Sequence, residues 1–132
     1  MRLYLVQHAE AKKEEEDPLR PLTEKGVKDA EKVASHLASL NLKIKKIFHS
    51  GKLRAKQTAE IYAKYLKPEE GVEKAEGLNP LDDVKVWVEK LKLIDEDIML
   101  VGHLPHLSKL TSILTVGNEE EKVLKFKMAG AA

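Results

Sequence analysis

The chain has 132 residues, with 23 Lys and Arg against 22 Asp and Glu, five His and no Cys. That length suits one domain spanning residues 1–132, with room for a sizeable core and little for a second. A composition of 42% hydrophobic and 34% charged residues excludes a disordered or membrane-spanning chain. A net charge of +1 argues against a nucleic-acid partner held by bulk electrostatics. The lack of Cys removes disulfide frameworks, thiolate metal sites and Cys nucleophiles.

The opening residues 1–6 carry one positive charge before a very short apolar run, which fits no signal or transit sequence. No window approaches the roughly 18 apolar residues of a membrane span, so a cytoplasmic protein with no membrane partner is expected. Leu3 to Val6 reads as a buried strand that ends abruptly at Gln7 and His8. Residues 9–22, with an acidic run and two prolines, read as an exposed loop. Thr23 then caps a helix whose face carries Val27, Ala30, Val33, Ala34, Leu37 and Ala38 at helical spacing.

Ile44 to Phe48 is the second predicted strand, and Lys52 to Leu66 the second helix, burying Leu53, Ile61, Tyr62, Tyr65 and Leu66, with Pro68 just past its end. Val72 to Ala75 reads as a weak third strand. Leu81, Val84, Trp87, Val88 and Leu91 form a third amphipathic stripe, followed by a strand over Asp97 to Val101. Pro105 marks the start of a helix with Leu107, Leu110, Ile113 and Leu114 on its apolar face, and Val123 to Met128 is a final strand. Strand and helix alternating four times, then a strand, predict a three-layer α/β/α sandwich with a mainly parallel central sheet.

Open α/β sheets bind ligands at the carboxyl edge of their strands. The polar residues expected there are Gln7, His8 and Glu10, then His49, Ser50 and Arg54, then Glu76 and Asn79, then His103. A guanidinium near a helix N-terminus matches phosphate oxygens. A neutral imidazole is a competent nucleophile towards phosphorus, and a second, protonated one can steady the transferring phosphoryl group. Phosphoryl transfer needs mainly positioning and charge neutralisation. No His-Glu-x-x-His spacing occurs, and His103 with His106 is read as a chance pair, so neither a metal nor a cofactor is expected.

Four stretches carry a resemblance: residues 5–11 (LVQHAEA), 20–26 (RPLTEKG), 50–59 (SGKLRAKQTA) and 101–105 (VGHLP). Together, in this order and spacing, they resemble the histidine phosphatase superfamily, whose fold is phosphoglycerate mutase-like. The compact length, the RPLTEKG stretch and the segment LNPLDD at 78–83 resemble its SixA-type phosphohistidine phosphatases. The resemblance implies that His8 accepts the phosphoryl group, that Arg54 and His103 clamp its oxygens, and that Ser50 lines the pocket, although Ser50 also reads as a helix cap. Larger phosphatases of the superfamily use a carboxylate as general acid. Glu76 is the candidate here, and a phosphoramidate substrate would lessen the need for it.

Two departures stand out. The family's Arg-His-Gly is Gln7-His8-Ala9 here, which replaces one phosphate-binding guanidinium by a neutral amide. At about 1.5–3 kcal/mol for a hydrogen bond to a charged group, that loss corresponds to about tenfold to a hundredfold or more in binding or rate. Arg20, on a loop facing the rim in this family, either compensates in part or is structural. The chain also ends at Ala132, somewhat earlier than in relatives, so a terminal edge strand is expected to be absent. Three readings follow: a phosphatase acting on a phosphohistidine protein, a small phosphate-ester hydrolase or mutase with the same chemistry, and a phosphate-binding pseudophosphatase weakened by Gln7.

Overall fold

The computed structural model describes residues 2–117 and 122–126. In chain order the elements are β1 (Arg2–Gln7), α1 (Glu24–Ser39), β2 (Lys46–His49), α2 (Leu53–Leu66), β3 (Val72–Lys74), α3 (Lys85–Leu91), β4 (Ile98–Gly102), α4 (His106–Gly117) and β5 (Lys122–Phe126). The strands form one sheet in the order β3-β2-β4-β1-β5, and every pairing in it is parallel. Parallel neighbours need a crossover between them, and the four helices supply it.

Alternation along the strands sorts the core into two halves. Tyr4, Val6, Ile47, Met99 and Val101 point to the face covered by α1 and α2, where Ala30, Ala34, Leu37, Ala55, Ala59 and Tyr62 meet them. Leu3, Leu5, Ile98 and Leu100 point to the other face, against Trp87 and Leu91 of α3 and Leu107 and Leu110 of α4. Both faces of the central strands are therefore dry, which is why β4 reads as five consecutive buried residues and not as an alternating pattern. Each fully buried Leu or Met contributes about 1.5–3 kcal/mol, so the two half-cores together set the stability. The three-layer α/β/α expectation is met. Among the described residues no helix is long and apolar enough to cross a membrane.

Several boundaries differ from the sequence expectation. The second strand starts at Lys46 and includes His49, because Ile44 leaves the sheet to pack against the α1–α2 half-core. Leu81 lies in a turn at 87% exposure and outside α3, since the Asp82 carboxylate accepts from the Asn79 N–H (2.9 Å) and holds the chain out of helix there. Ile113 is 44% exposed, so the apolar face of α4 is narrower than its sequence implies. Within the loop of residues 9–22, Ala9 and Leu22 are buried. Of the expected final strand, residues 127 and 128 lie outside the described residues.

That loop folds back as a hairpin. Ala11 and Leu22 form an antiparallel bridge, and the Lys12 N–H donates to the Pro21 carbonyl at 2.8 Å. The start of α1 anchors it: Thr23 Oγ1 accepts from the Gly26 N–H at 2.9 Å, and the Thr23 N–H donates to the Glu10 carbonyl at 3.0 Å. The same carbonyl sits where a Cβ on Gly26 would be. Gly26→Ala is expected to destabilise the fold by about 2–3 kcal/mol, as overpacking does, read as a lower urea midpoint with unchanged m-value. An unchanged midpoint would show that the loop is not held by this approach.

Candidate active site

Because β4 lies between β1 and β2, the residues leaving these three strands at their carboxyl ends become neighbours. Gln7 pairs with Gly102 in the ladder, and the next amide, His8 N–H, donates to the Gly102 carbonyl at 3.0 Å. His8 and His103 thus follow directly from one stitched register, and their ring centroids lie 5.0 Å apart with planes tilted by 54°. On the other side of β4, His49 pairs with Val101. The following Ser50 reaches across, its Oγ 2.7 Å from His103 Nε2.

His8 is fixed in one tautomer. Its Nδ1 lies 2.7 Å from the Ala9 carbonyl oxygen; a carbonyl only accepts, so Nδ1 carries the proton and Nε2 holds the lone pair. Burial holds the His8 imidazole below its ordinary value, against the opposing effect of the Ala9 carbonyl, and Arg54 and Arg20 add to the lowering. The ring is therefore neutral at neutral pH, the form a nucleophile requires. Ala9 is in turn held from α2: its N–H donates to Thr58 Oγ1 at 3.0 Å, and the Thr58 hydroxyl donates to the Arg54 carbonyl at 2.8 Å.

His103 is buried, and burial above all, then the facing His8 ring, the Arg54 and Lys52 cations and the His106 ring, which all disfavour a further positive charge, pushes its imidazole down to about 3. His103 is therefore neutral before an anion enters, and the protonated second imidazole expected from sequence concerns the site with a phosphoryl group in it. Ser50 suits either state: its Oγ accepts from the Lys52 N–H (3.3 Å), while its O–H can donate to neutral Nε2 and its second lone pair can accept from a protonated one. An entering dianion would reverse the electrostatics and draw a proton onto this ring. Arg54 opens α2 one residue after its start, and its buried Nε–H has no hydrogen-bond partner among the described residues. Burial, then Arg20, destabilise its charge.

Arg20 donates its Nε–H to the Lys12 carbonyl at 3.0 Å, and its charge acts on both His8 and Arg54. The hairpin thus brings it to the same edge. Gln7 ends β1 half-buried. Glu76 is exposed; its backbone carbonyl accepts from Trp87 Nε1 at 3.0 Å, and among the described residues its carboxylate makes no hydrogen bond or ion pair. His106 is fully buried, and no group of three metal-type ligands occurs among the described residues. Sequence reasoning missed Thr58, which is 1% exposed, and Gln57, whose Oε1 accepts from the Leu22 N–H at 2.8 Å. The signal for Thr58 is a polar residue on the helix face otherwise made of Ala55, Ala59, Tyr62 and Leu66.

The arrangement combines a bare imidazole nitrogen, a second imidazole and an unpaired guanidinium donor at an open sheet edge, which is suited to receive a tetrahedral anion. Comparison with known proteins agrees. An uncharacterized protein of Picosynechococcus, SYNPCC7002_A2622, is 36% identical over 138 residues, covering 98% of this chain and 82% of the relative. Among solved structures, the protein histidine phosphatase SixA complexed with tungstate is 24% identical with a TM-score of 0.81, covering 96% of this chain and 83% of that one. Bacillus stearothermophilus YhfR is 20% identical with a TM-score of 0.70, covering 89% and 82%. The family model of the histidine phosphatase superfamily (branch 1) matches residues 3–86, the span that delivers His8, Ser50 and Arg54 to this edge, and the chain belongs to that superfamily.

Proposed function

We propose that the chain is a phosphohistidine phosphatase that acts on a phosphorylated protein through a phosphoryl-enzyme intermediate on His8. The observation that carries this reading is the 2.7 Å bond from His8 Nδ1 to the Ala9 carbonyl, which reserves the Nε2 lone pair. In the first step Nε2 attacks phosphorus and the bond from phosphorus to the leaving group breaks, the leaving atom keeping the electron pair. Arg54 and His103 hold the phosphoryl oxygens, Ser50 orients His103, and Arg20 adds charge from the hairpin, beside the neutral Gln7. In the second step water attacks phosphorus, the P–Nε2 bond breaks, and inorganic phosphate leaves with His8 restored.

Two features favour phosphohistidine over an alkyl phosphate. An alkoxide leaving group needs a general acid, and the Glu76 carboxylate is exposed with no bond to the site groups, whereas an imidazole leaving group departs with less help. Two of the four connections at this edge are also short: three residues separate β2 from α2, and three separate β4 from α4, whereas residues 8–23 and 75–84 form longer ones. The low rim beside Ser50 and His103 leaves that part of the edge accessible to a protein surface. The experiment compares a phosphohistidine peptide with a sugar phosphate. The expected result is a kcat/KM at least about a hundredfold higher for the peptide, with a labelled phosphoryl group trapped on His8. Faster turnover of the sugar phosphate would favour the small-ester reading, and binding without any phosphoenzyme would favour a pseudophosphatase.

A further inference from the structure

The Ser50 hydroxyl meets His103 only because of the turn that carries it, and that turn is closed from within by His49. His49 ends β2 at 6% exposure, and its carbonyl accepts from the Ala75 N–H at 2.8 Å, which ties its backbone to the end of β3. Its Nδ1 accepts from the Gly51 N–H at 3.0 Å, so this nitrogen carries no proton. The bond runs from a side chain to the amide two residues on, as the oxygen of Asn does in an Asx turn. Gly51 has φ +94°, a backbone conformation that L side chains rarely adopt, so the turn favours glycine. Glycine permits this conformation without enforcing it; the imidazole supplies the restraint. Ser50 sits between the two ends of the bond, 2.7 Å from His103 Nε2.

We infer that His49 is a positioning residue for the phosphoryl pocket, its ring nitrogen closing the turn over residues 49–51 and so fixing the Ser50 hydroxyl on His103. The inference rests on the proposed reading of Ser50 and His103 as phosphoryl-binding groups. Burial holds the His49 imidazole below its ordinary value; Glu60 of α2 opposes this, while Lys56 of α2 and Lys74 of β3 reinforce it. The turn is accordingly closed at neutral pH. Acid that protonates Nδ1 sets a donor against the Gly51 donor and opens it.

The test uses full-length His49→Ala, His49→Asn, Ser50→Ala and the double variant His49→Ala/Ser50→Ala. His49→Ala is expected to lower kcat on a phosphohistidine peptide about tenfold, the equivalent of one net hydrogen bond, with KM moving less. His49→Asn, which restores an acceptor to the Gly51 amide without a titrating ring, recovers most of that loss. The double variant is no worse than Ser50→Ala alone, as expected for residues acting in series. By NMR, the Gly51 amide and the His103 ring of the wild type shift together as acid titrates His49, and in His49→Asn that shared shift disappears. Additive losses in the double variant, or His103 ring signals indifferent to every change at position 49, overturn the inference. If the wild type forms no phosphoenzyme, the proposed function fails, and the NMR comparison decides the role of His49 by itself.

Discussion

Replacing His8 by alanine is expected to abolish the trapped phosphoenzyme and to lower turnover of a phosphohistidine peptide by about 10⁴-fold or more, the scale on which removing a covalent nucleophile acts. The substitution is a clean one. Among the described residues the His8 side chain hydrogen-bonds only to its neighbour's carbonyl, and the backbone bond from His8 N–H to Gly102 survives it, so the register that builds the site stays in place. Stability should change by about 1 kcal/mol, one neutral hydrogen bond, and inorganic phosphate should still bind through Arg54 and His103. Wild-type turnover should also persist somewhat below the ordinary histidine range, because burial and the two arginines keep His8 neutral there, and should fall only as Nε2 takes up a proton. Undiminished turnover in His8→Ala would sink the nucleophile role.

The fold was legible because hydrophobic periodicity is local: the stripe from Val27 to Leu37 and the apolar run before Gln7 each specify their own element. The edge that carries the site was legible too, since parallel α/β sheets put every strand end on one side. Strand order was not. Which ends touch depends on β4 lying between β1 and β2, a non-local fact on which the His8–His103 and Ser50–His103 contacts depend. Protonation was equally hidden. His103 is one residue beyond a strand in sequence, and it is burial, reinforced by Arg54 and Lys52, that holds it neutral well into acid. Thr58 escaped notice, and His49 was placed at the edge without a role, because each acts on backbone, Ala9 in one case and Gly51 in the other, and a backbone amide leaves no mark in the sequence. Glu76 shows the converse: a carboxylate correctly placed after β3 by sequence is exposed and bonds nothing at the site.

Arg54→Ala is expected to lower kcat/KM for the same peptide by about 10³-fold. A guanidinium that gives two charge-assisted hydrogen bonds to a phosphoryl group supplies about 3–5 kcal/mol, which converts to between a hundredfold and several thousandfold. The upper part of that range applies because little else can replace it: Gln7 has no charge, and Arg20 is committed through Nε to the Lys12 carbonyl on an exposed hairpin. Two further readouts separate this loss from misfolding. Arg54 lowers both the His8 and the His103 imidazole values, so its removal raises them and moves the acid limb of the pH profile to higher pH; a purely structural lesion would not. The fold itself should become no less stable and gain slightly. Among the described residues the buried Nε–H lacks a partner, and its charge is opposed by burial and by Arg20, so the side chain is held at a cost that a bound anion would offset. Arg54→Lys should recover part of the rate, because an ammonium restores the charge but not the planar pair of donors. Full activity in Arg54→Ala, or a fall in stability that accounts for the lost rate, would remove Arg54 from the phosphoryl clamp.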